Sequence, residues 1–293
     1  MKTKKSEIHM HSNFSDGEFS PEELVSIAER NRVSILSLTD HDTFAGIGGF
    51  LAAARGHGII AFPGIEITVL YRDFNLHLLG YFENEESIRP ELRGKVQRMK
   101  DQREGRMRDL IVRVNEVVPE RFRGTVLFDN VTRAAEGVVA RPHLAREMTR
   151  LGIVSNSNEA FEKYLVKYNI EKKNLDIEEA IHLVRQSRGV PVLAHPGERQ
   201  YSLYAPDKGR DYDDVEAMLE ELKFLGLLGL ECVYPYHEKI GKVAYYKKLA
   251  KKLGLIVTGS RDFHGFSAHQ RANILGSTPM DDAFLHGFRE IWG

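Results

Sequence analysis

Short apolar runs alternate with helix-forming segments along most of this chain, and run after run ends in a histidine or an acid. Ile8 leads into His9 and His11, the run 34–39 into Asp40, His41 and Asp42, and 59–62 into Glu66. His77 lies on the next apolar stretch, 190–194 ends in His195, and 255–258 leads to Asp262 and His264. Strand–helix alternation favours a parallel sheet or barrel. The C-terminal ends of barrel strands converge on one face, so residues from opposite ends of the chain can meet there. His9 and His11 stand at i and i+2. On a strand over 7–11 both imidazoles would point the same way and could grip one ion.

Local signals fill in the map. Ser20-Pro21-Glu22-Glu23 reads as a helix start with a capping box, and Asp176 with Glu179 as another. Further strands are expected at 65–71, 75–82 and 228–233, with Pro63-Gly64 joining the third run to Glu66. Helices are expected near 44–55, 177–187, 212–225, 239–253 and 281–291. Between 84 and 176 the character changes to helical spacing alone, and the window 89–123 holds eleven Lys and Arg against six acids. The expected organisation is an α/β barrel made of 1–83 and 177–293, with 84–176 as an inserted small helical domain.

Composition excludes several classes. The chain has 293 residues, 42% of them hydrophobic and 28% charged, with a formal net charge of -1. These are the proportions of a soluble globular protein, without the bulk positive charge of a polyanion binder. Cys232 is the only cysteine, so neither a disulfide framework nor a thiolate cluster is available. The charged N-terminus has no apolar stretch behind it, and no segment reaches a membrane span of about 18–20 apolar residues, so a cytoplasmic protein with no membrane contact is expected.

Any metal must therefore use imidazole and carboxylate, which suit Zn, Mn and Fe. Nine candidates, His9, His11, Asp16, His41, Glu66, His77, His195, Asp262 and His264, are more than one ion needs. They suffice for two or three divalent ions, two of which a carboxylate such as Glu66 could bridge. Such a site keeps a net positive charge and should favour a phosphate dianion.

These residues resemble the polymerase and histidinol phosphatase (PHP) family of metal-dependent phosphoesterases. The matching segments, in family order, are His9-Met-His11, Asp16-Gly17, Thr39-Asp-His-Asp42, Pro63-Gly64-Ile-Glu66, His77, Ala194-His-Pro196 and Asp262-Phe-His264. The resemblance implies a distorted (β/α)7 barrel with a trinuclear site. His9, His11, Glu66 and Asp262 would hold one ion, Glu66, His77 and His195 a second, and Asp16, His41 and His264 a third. Arg141-Pro-His143 in the insertion and Tyr234-Pro-Tyr-His237 resemble a branch acting on nucleoside phosphates, including 3',5'-bisphosphates, and on 5' ends of short RNA. Arg261 departs from the pattern, since a small or acidic residue commonly precedes this Asp-x-His, and no role is carried over to it.

The expected activity is hydrolysis of a phosphate monoester by a metal-bridging hydroxide. Arg141, His143, Arg199 and His237 are the substrate candidates, because Arg binds phosphate bidentately. His143 and His237 are also candidates for protonating the leaving group. Asp42 is a candidate for that step too, or for orienting a ligand histidine, or for capping the following helix. Glu231 is left between supporting a ligand and pairing with an insertion arginine. A histidinol-phosphate phosphatase would leave the basic insertion without a purpose. A nucleic-acid-binding module stapled by metal would need closed four-ligand sites rather than nine clustered ligands.

Overall fold

The computed structural model describes residues 5–133, 139–170, 174–198, 200–266, 274–280 and 282–293. Arg199, expected at the substrate, lies outside them. By contacts the chain divides into two compact units, 1–95 with 174–293, and 96–173.

The first unit is a distorted α/β barrel. Its strands are β1 (Lys5–Glu7), β2 (Val33–Leu38), β3 (Ile60–Tyr71), β4 (Phe74–Tyr81), β5 (Leu175–Asp176), β6 (Val190–Leu193), β7 (Gly229–Val233) and β8 (Ile256–Gly259). They form one sheet in the order β1-β2-β3-β4-β6-β7-β8, with β5 attached to β3. β4 runs antiparallel to both its neighbours, and the other pairs are parallel. The helices of this unit are α1 (Pro21–Arg30), α2 (Ile47–Gly56), α7 (Ile177–Gln186), α8 (Tyr212–Phe224), α9 (Pro235–Lys239), α10 (Val243–Leu253) and α11 (Phe284–Trp292). Long α3 (Pro90–Val117) starts here and continues into the second unit, which also holds α4 (Phe128–Arg133), α5 (Arg141–Arg150) and α6 (Ser157–Ala160).

Local chemistry explains the helix starts. Ser20 Oγ accepts the Glu23 N–H and Glu23 returns the bond to the Ser20 N–H, which closes the expected capping box. At α7 Asp176 caps through the Glu178 N–H instead, because Glu179 is drawn to Lys95 at 2.6 Å. That ion pair and the Arg89 N–H bond to Ser187 tie the start of α3 to the barrel. β5 pairs with Val69 and Leu70. The helical unit therefore begins at 96 rather than 84 and ends at 173 rather than 176.

Two strands differ from expectation. The third and fourth runs merge into one strand, β3, that passes through Pro63. Pro63 stays in parallel register with Leu38, and its carbonyl accepts the Phe82 N–H. Gly64 is required there because a Cβ would press on the Leu38 carbonyl and the Thr39 side chain. β1 stops at Glu7 rather than at His11. Side chains replace the ladder beyond it: Ser260 Oγ accepts the Ile8 and His9 N–H groups, and Thr39 Oγ1 the Met10 N–H.

β1 and β8 form no ladder of their own in the sheet path. The barrel closes at its mouth, where Met10 bridges Phe263 and the His11 N–H donates to the Phe263 carbonyl at 2.9 Å. Ile8 and apolar residues from five strands, among them Ile35, Phe62, Tyr81, Val192 and Val233, pack with Phe284, Phe288 and Trp292 of α11. A second cluster joins α1 and α2 to β2. The helical unit has its own core around Met107, Val114, Leu144, Met148 and Leu165.

Candidate metal centre

Backbone hydrogen bonds stitch the strand ends together where the polar residues emerge. The His41 segment bridges Glu66, with the Asp42 N–H bonded to the Glu66 carbonyl at 2.9 Å. The Met10–Phe263 bridge sets His9 and His11 beside Asp262 and His264. Asp40 is buried and accepts from the Ser12 N–H, the Ser12 hydroxyl and the Ser15 hydroxyl at 2.6–2.7 Å, which fixes the turn that presents Asp16. A Cβ on Gly17 would collide with the His11 carbonyl, so only glycine allows this turn to lie on the His11 segment.

All nine expected ligands converge. His9 Nε2 lies 3.3 Å from both Glu66 Oε2 and Asp262 Oδ1, and His11 Nε2 lies 3.2 and 3.1 Å from the same two oxygens. Glu66 Oε1 lies 2.8 Å from His77 Nδ1 and 3.2 Å from His195 Nε2, which are 3.3 Å apart. His41 Nδ1 is 3.0 Å from Glu66 Oε2. Asp16 lies 3.3 Å from His264 Nε2 and 3.8 Å from His41 Nε2. Donors held at about 2.0–2.2 Å around one ion are themselves about 3–3.5 Å apart, so most of these spacings are those of ligand atoms sharing a cation. Three donor groups keep their ligand atoms within 4.8 Å of one another: His9, His11, Glu66 and Asp262; His41, Glu66 and His77; and His11, Asp16, His41 and His264.

The donor atoms also lack other work. Among the described residues, His9 Nε2, His11 Nε2, His41 Nδ1, Glu66 Oε2 and Asp262 Oδ1 are buried without a hydrogen-bond partner. Unsatisfied buried polar atoms are costly, and five of them aimed at shared points fit divalent cations. Burial disfavours charge on every group here, and the neighbours set the sign. For His11, Asp262 and Glu66 overcome burial and push the imidazole up to about 10. His9 is likewise raised by Glu231, Asp262 and Glu66. Burial prevails at His41, which falls to about 3. Against burial, the imidazoles hold Glu66, Asp262 and Asp16 well below the usual carboxylate range. The carboxylates thus demand positive charge, which protons on some imidazoles supply and metal ions would replace.

Outer residues aim the donors. Glu231 on β7 accepts from His9 Nδ1 at 3.0 Å and from the His195 N–H at 2.9 Å, so it supports a ligand and turns His9 Nε2 inward. The Tyr234 hydroxyl donates to Asp262 Oδ2 at 3.3 Å, leaving Oδ1 to the histidines. His264 Nδ1 bonds the Asp262 carbonyl, which presents Nε2 to Asp16. Asp42, His195 and Asp262 all have positive φ, +51°, +24° and +51°, conformations costing about 1–3 kcal/mol each that these bonds sustain.

The remaining candidates have local partners of their own. Asp42 is buried and accepts from the Thr68 N–H and hydroxyl; its charge bears on His77. α2 begins only at Ile47 behind Gly46, with no side-chain cap, so the capping alternative does not occur. His237, expected at the substrate, is instead fully buried with both ring nitrogens committed. Nδ1 pairs with the Cys232 carbonyl, and Nε2 accepts the Gly197 N–H, at 3.0 Å each. In the helical unit His143 is buried, and its Nδ1 accepts the Ala140 N–H to cap α5. Arg141 holds its guanidinium 5.7 Å over the Phe161 ring. Arg261 is buried and forks onto Glu238, with Nη1 at 2.8 Å from Oε2. No local signal in the sequence announces the supporting roles of Ser260 and Tyr234. For Glu231 the signal was present, an acid inside the apolar run Leu230–Val233.

Fold and centre together define an α/β barrel whose mouth gathers imidazole and carboxylate donors suited to binding metal. The PHP domain profile matches residues 7–226, and the chain belongs to that family. A 5'-3' exoribonuclease of Haemophilus influenzae is 33% identical over 198 residues, 66% of this chain and 69% of that one. A 3',5'-nucleoside bisphosphate phosphatase of Chromobacterium violaceum is 27% identical over 265 residues, 88% and 86% of the two chains. A solved structure from Bifidobacterium adolescentis, assigned as a metal-dependent phosphoesterase, superposes with a TM-score of 0.79 at 24% identity. It covers 98% of this chain and 96% of its own. That likeness shows the shared fold.

Proposed function

We propose that this chain is a metal-dependent phosphoesterase that hydrolyses phosphate monoesters of nucleotides, or the 5' ends of short oligonucleotides. The observation that carries the reading is the convergence of nine imidazole and carboxylate donors, five of the imidazoles meeting Glu66, with several donor atoms buried and unpartnered among the described residues. Two or three divalent ions held there, Mn, Fe or Zn, would supply Lewis acidity toward the phosphoryl oxygens and lower the pKa of water toward about 7. The chain's own residues do the rest. Glu66 presents one oxygen toward His9, His11 and His41 and the other toward His77 and His195, so it holds the two halves in register. Glu231 and Tyr234 keep His9 and Asp262 in their donor orientations. The Asp16 side chain, 47% exposed, marks the open side by which a substrate approaches. In the helical unit Arg141 is the proposed phosphate contact, since its planar fork suits phosphate oxygens. Among the described residues no helix is long and apolar enough to cross a membrane, and a cytoplasmic setting is part of this proposal.

Nucleotide and RNA substrates are favoured by the curated relatives, which are named for cleaving such esters. The test is phosphate release by the Mn-loaded protein from AMP, adenosine 3',5'-bisphosphate, histidinol phosphate and a 5'-phosphorylated RNA. Turnover of a nucleotide or the RNA is expected. Turnover of none of the four would overturn the reading, and preference for histidinol phosphate would replace it with the amino-alcohol phosphatase.

A further inference from the structure

Tyr201 stands at the edge of the donor cluster, and nothing in the chemistry above uses it. Its ring stacks on His77, with centroids 4.0 Å apart and planes 19° from parallel. His77 in turn reaches Glu66 at 2.8 Å. Tyr201 therefore lies directly against one of the donors and one imidazole removed from Glu66. Yet 40% of the residue is exposed, whereas Tyr234, the aromatic beside His195, is 5% exposed and bonded to Asp262.

The loop holds Tyr201 in this position by other means than burying its ring. Ser202 Oγ donates to the Pro196 carbonyl at 2.7 Å, and the Leu203 N–H donates to the same carbonyl at 3.2 Å. Ser202 and Leu203, which follow it, are buried, and both bonds tie the loop to the turn that carries His195. Tyr201 itself has φ +55°, a conformation unfavourable for a residue with a side chain. The fold thus accepts backbone strain to present an aromatic ring that lies on His77 and still stays substantially exposed.

We infer that Tyr201 is a stacking platform for the nucleobase of the substrate. This rests on the phosphoesterase reading and adds the part of the substrate that reading leaves unspecified. With the phosphate at the donor cluster, the ribose spans the width of His77 and brings the base over the exposed part of Tyr201. Stacking needs only a π-face, so the platform accepts any base and selects nucleotides over sugar phosphates. Tyr201 is a specificity residue, not a donor to the metals.

The test compares two ligands that differ only in the base, the hydrolysis-resistant 5'-methylene phosphonates of adenosine and of ribose. Both are titrated calorimetrically into Mn-loaded protein. The adenosine analogue should bind more tightly to the wild type. Tyr201→Ala should weaken it by about 5- to 150-fold, the span of one base–aromatic stack, and leave the ribose analogue within about twofold. Tyr201→Phe and Tyr201→Trp should retain the preference, and Mn bound per chain should be the same in all four proteins. Equal binding of the two analogues by the wild type would overturn the inference while the phosphoesterase reading stands. So would an equal loss of both in Tyr201→Ala, or a loss of Mn, since the ring would then serve only to hold His77. Binding of neither analogue by the wild type would reject the phosphoesterase reading, and the platform with it.

Discussion

Glu66 is one carboxylate serving two sets of imidazoles, with Oε2 toward His9, His11 and His41 and Oε1 toward His77 and His195. Glu66→Gln keeps the shape but replaces one acceptor with an NH2. Metal bound per chain should fall, and phosphate release should drop by at least about 100-fold. Full metal content in that variant would remove Glu66 from the centre. His237 carries a different prediction. Burial lowers it to about 4, and it is neutral where it holds the Gly197 N–H and the Cys232 carbonyl. Its folded value lies below the unfolded 6.5, so the unfolded chain binds the proton first. Stability from this residue is present above about pH 6.5 and is lost as pH falls toward 4, by up to about 3 kcal/mol. Urea midpoints measured from pH 7 to 4 should show the gap between wild type and His237→Gln narrowing with acid. A constant gap would refute the assignment. The contrast between these residues bears on what sequence reveals. Glu66 was legible because it follows the apolar run 59–62 and the Pro63-Gly64 pair. His237 was misread because its partners are backbone groups at 197 and 232, which no spacing announces.

The strands and their ends were legible in outline, because apolar runs and caps are local signals. α1 follows its capping box, and β2 ends where the Thr39–Asp42 motif begins. The failures share a cause. β3 passes through Pro63, and β1 stops short of its histidines, because non-local groups take the hydrogen bonds there. The chief one is Ser260, whose hydroxyl accepts from Ile8 and His9 and donates to buried Glu7, which also accepts the Arg261 N–H at 2.6 Å and the Gly276 N–H at 2.8 Å. This staple joins the ends of β1 and β8 where the ladder is missing. Ser260→Ala should cost about 1–3 kcal/mol in urea denaturation, since buried N–H groups lose their acceptor, and should weaken Mn binding. Ser260→Thr keeps the hydroxyl and is the control. An alanine variant with unchanged stability and metal affinity would show that the staple is idle.

For the molecule as a whole, the expected ligands all come from the barrel unit, while Arg141 and His143 belong to the helical one. Metal loading should therefore act first on barrel stability. Divalent ions at about 100 times their Kd should add about 2.7 kcal/mol per site, and chelation should lower the melting temperature correspondingly. A melting curve indifferent to both would count against the centre. The sequence by itself determined the kind of chemistry and the kind of fold. Residue types and strand-end positions are local properties, and nine imidazoles and carboxylates following apolar runs admit few other uses. Only the tertiary structure decided how they work together. It showed that Glu66 splits its oxygens between two groups, that Glu231 turns His9 inward, that His237 is an internal brace, and that Tyr201 lies against His77. Each of these depends on the distance and direction between segments far apart in the chain, which packing and backbone closure set and residue order does not encode.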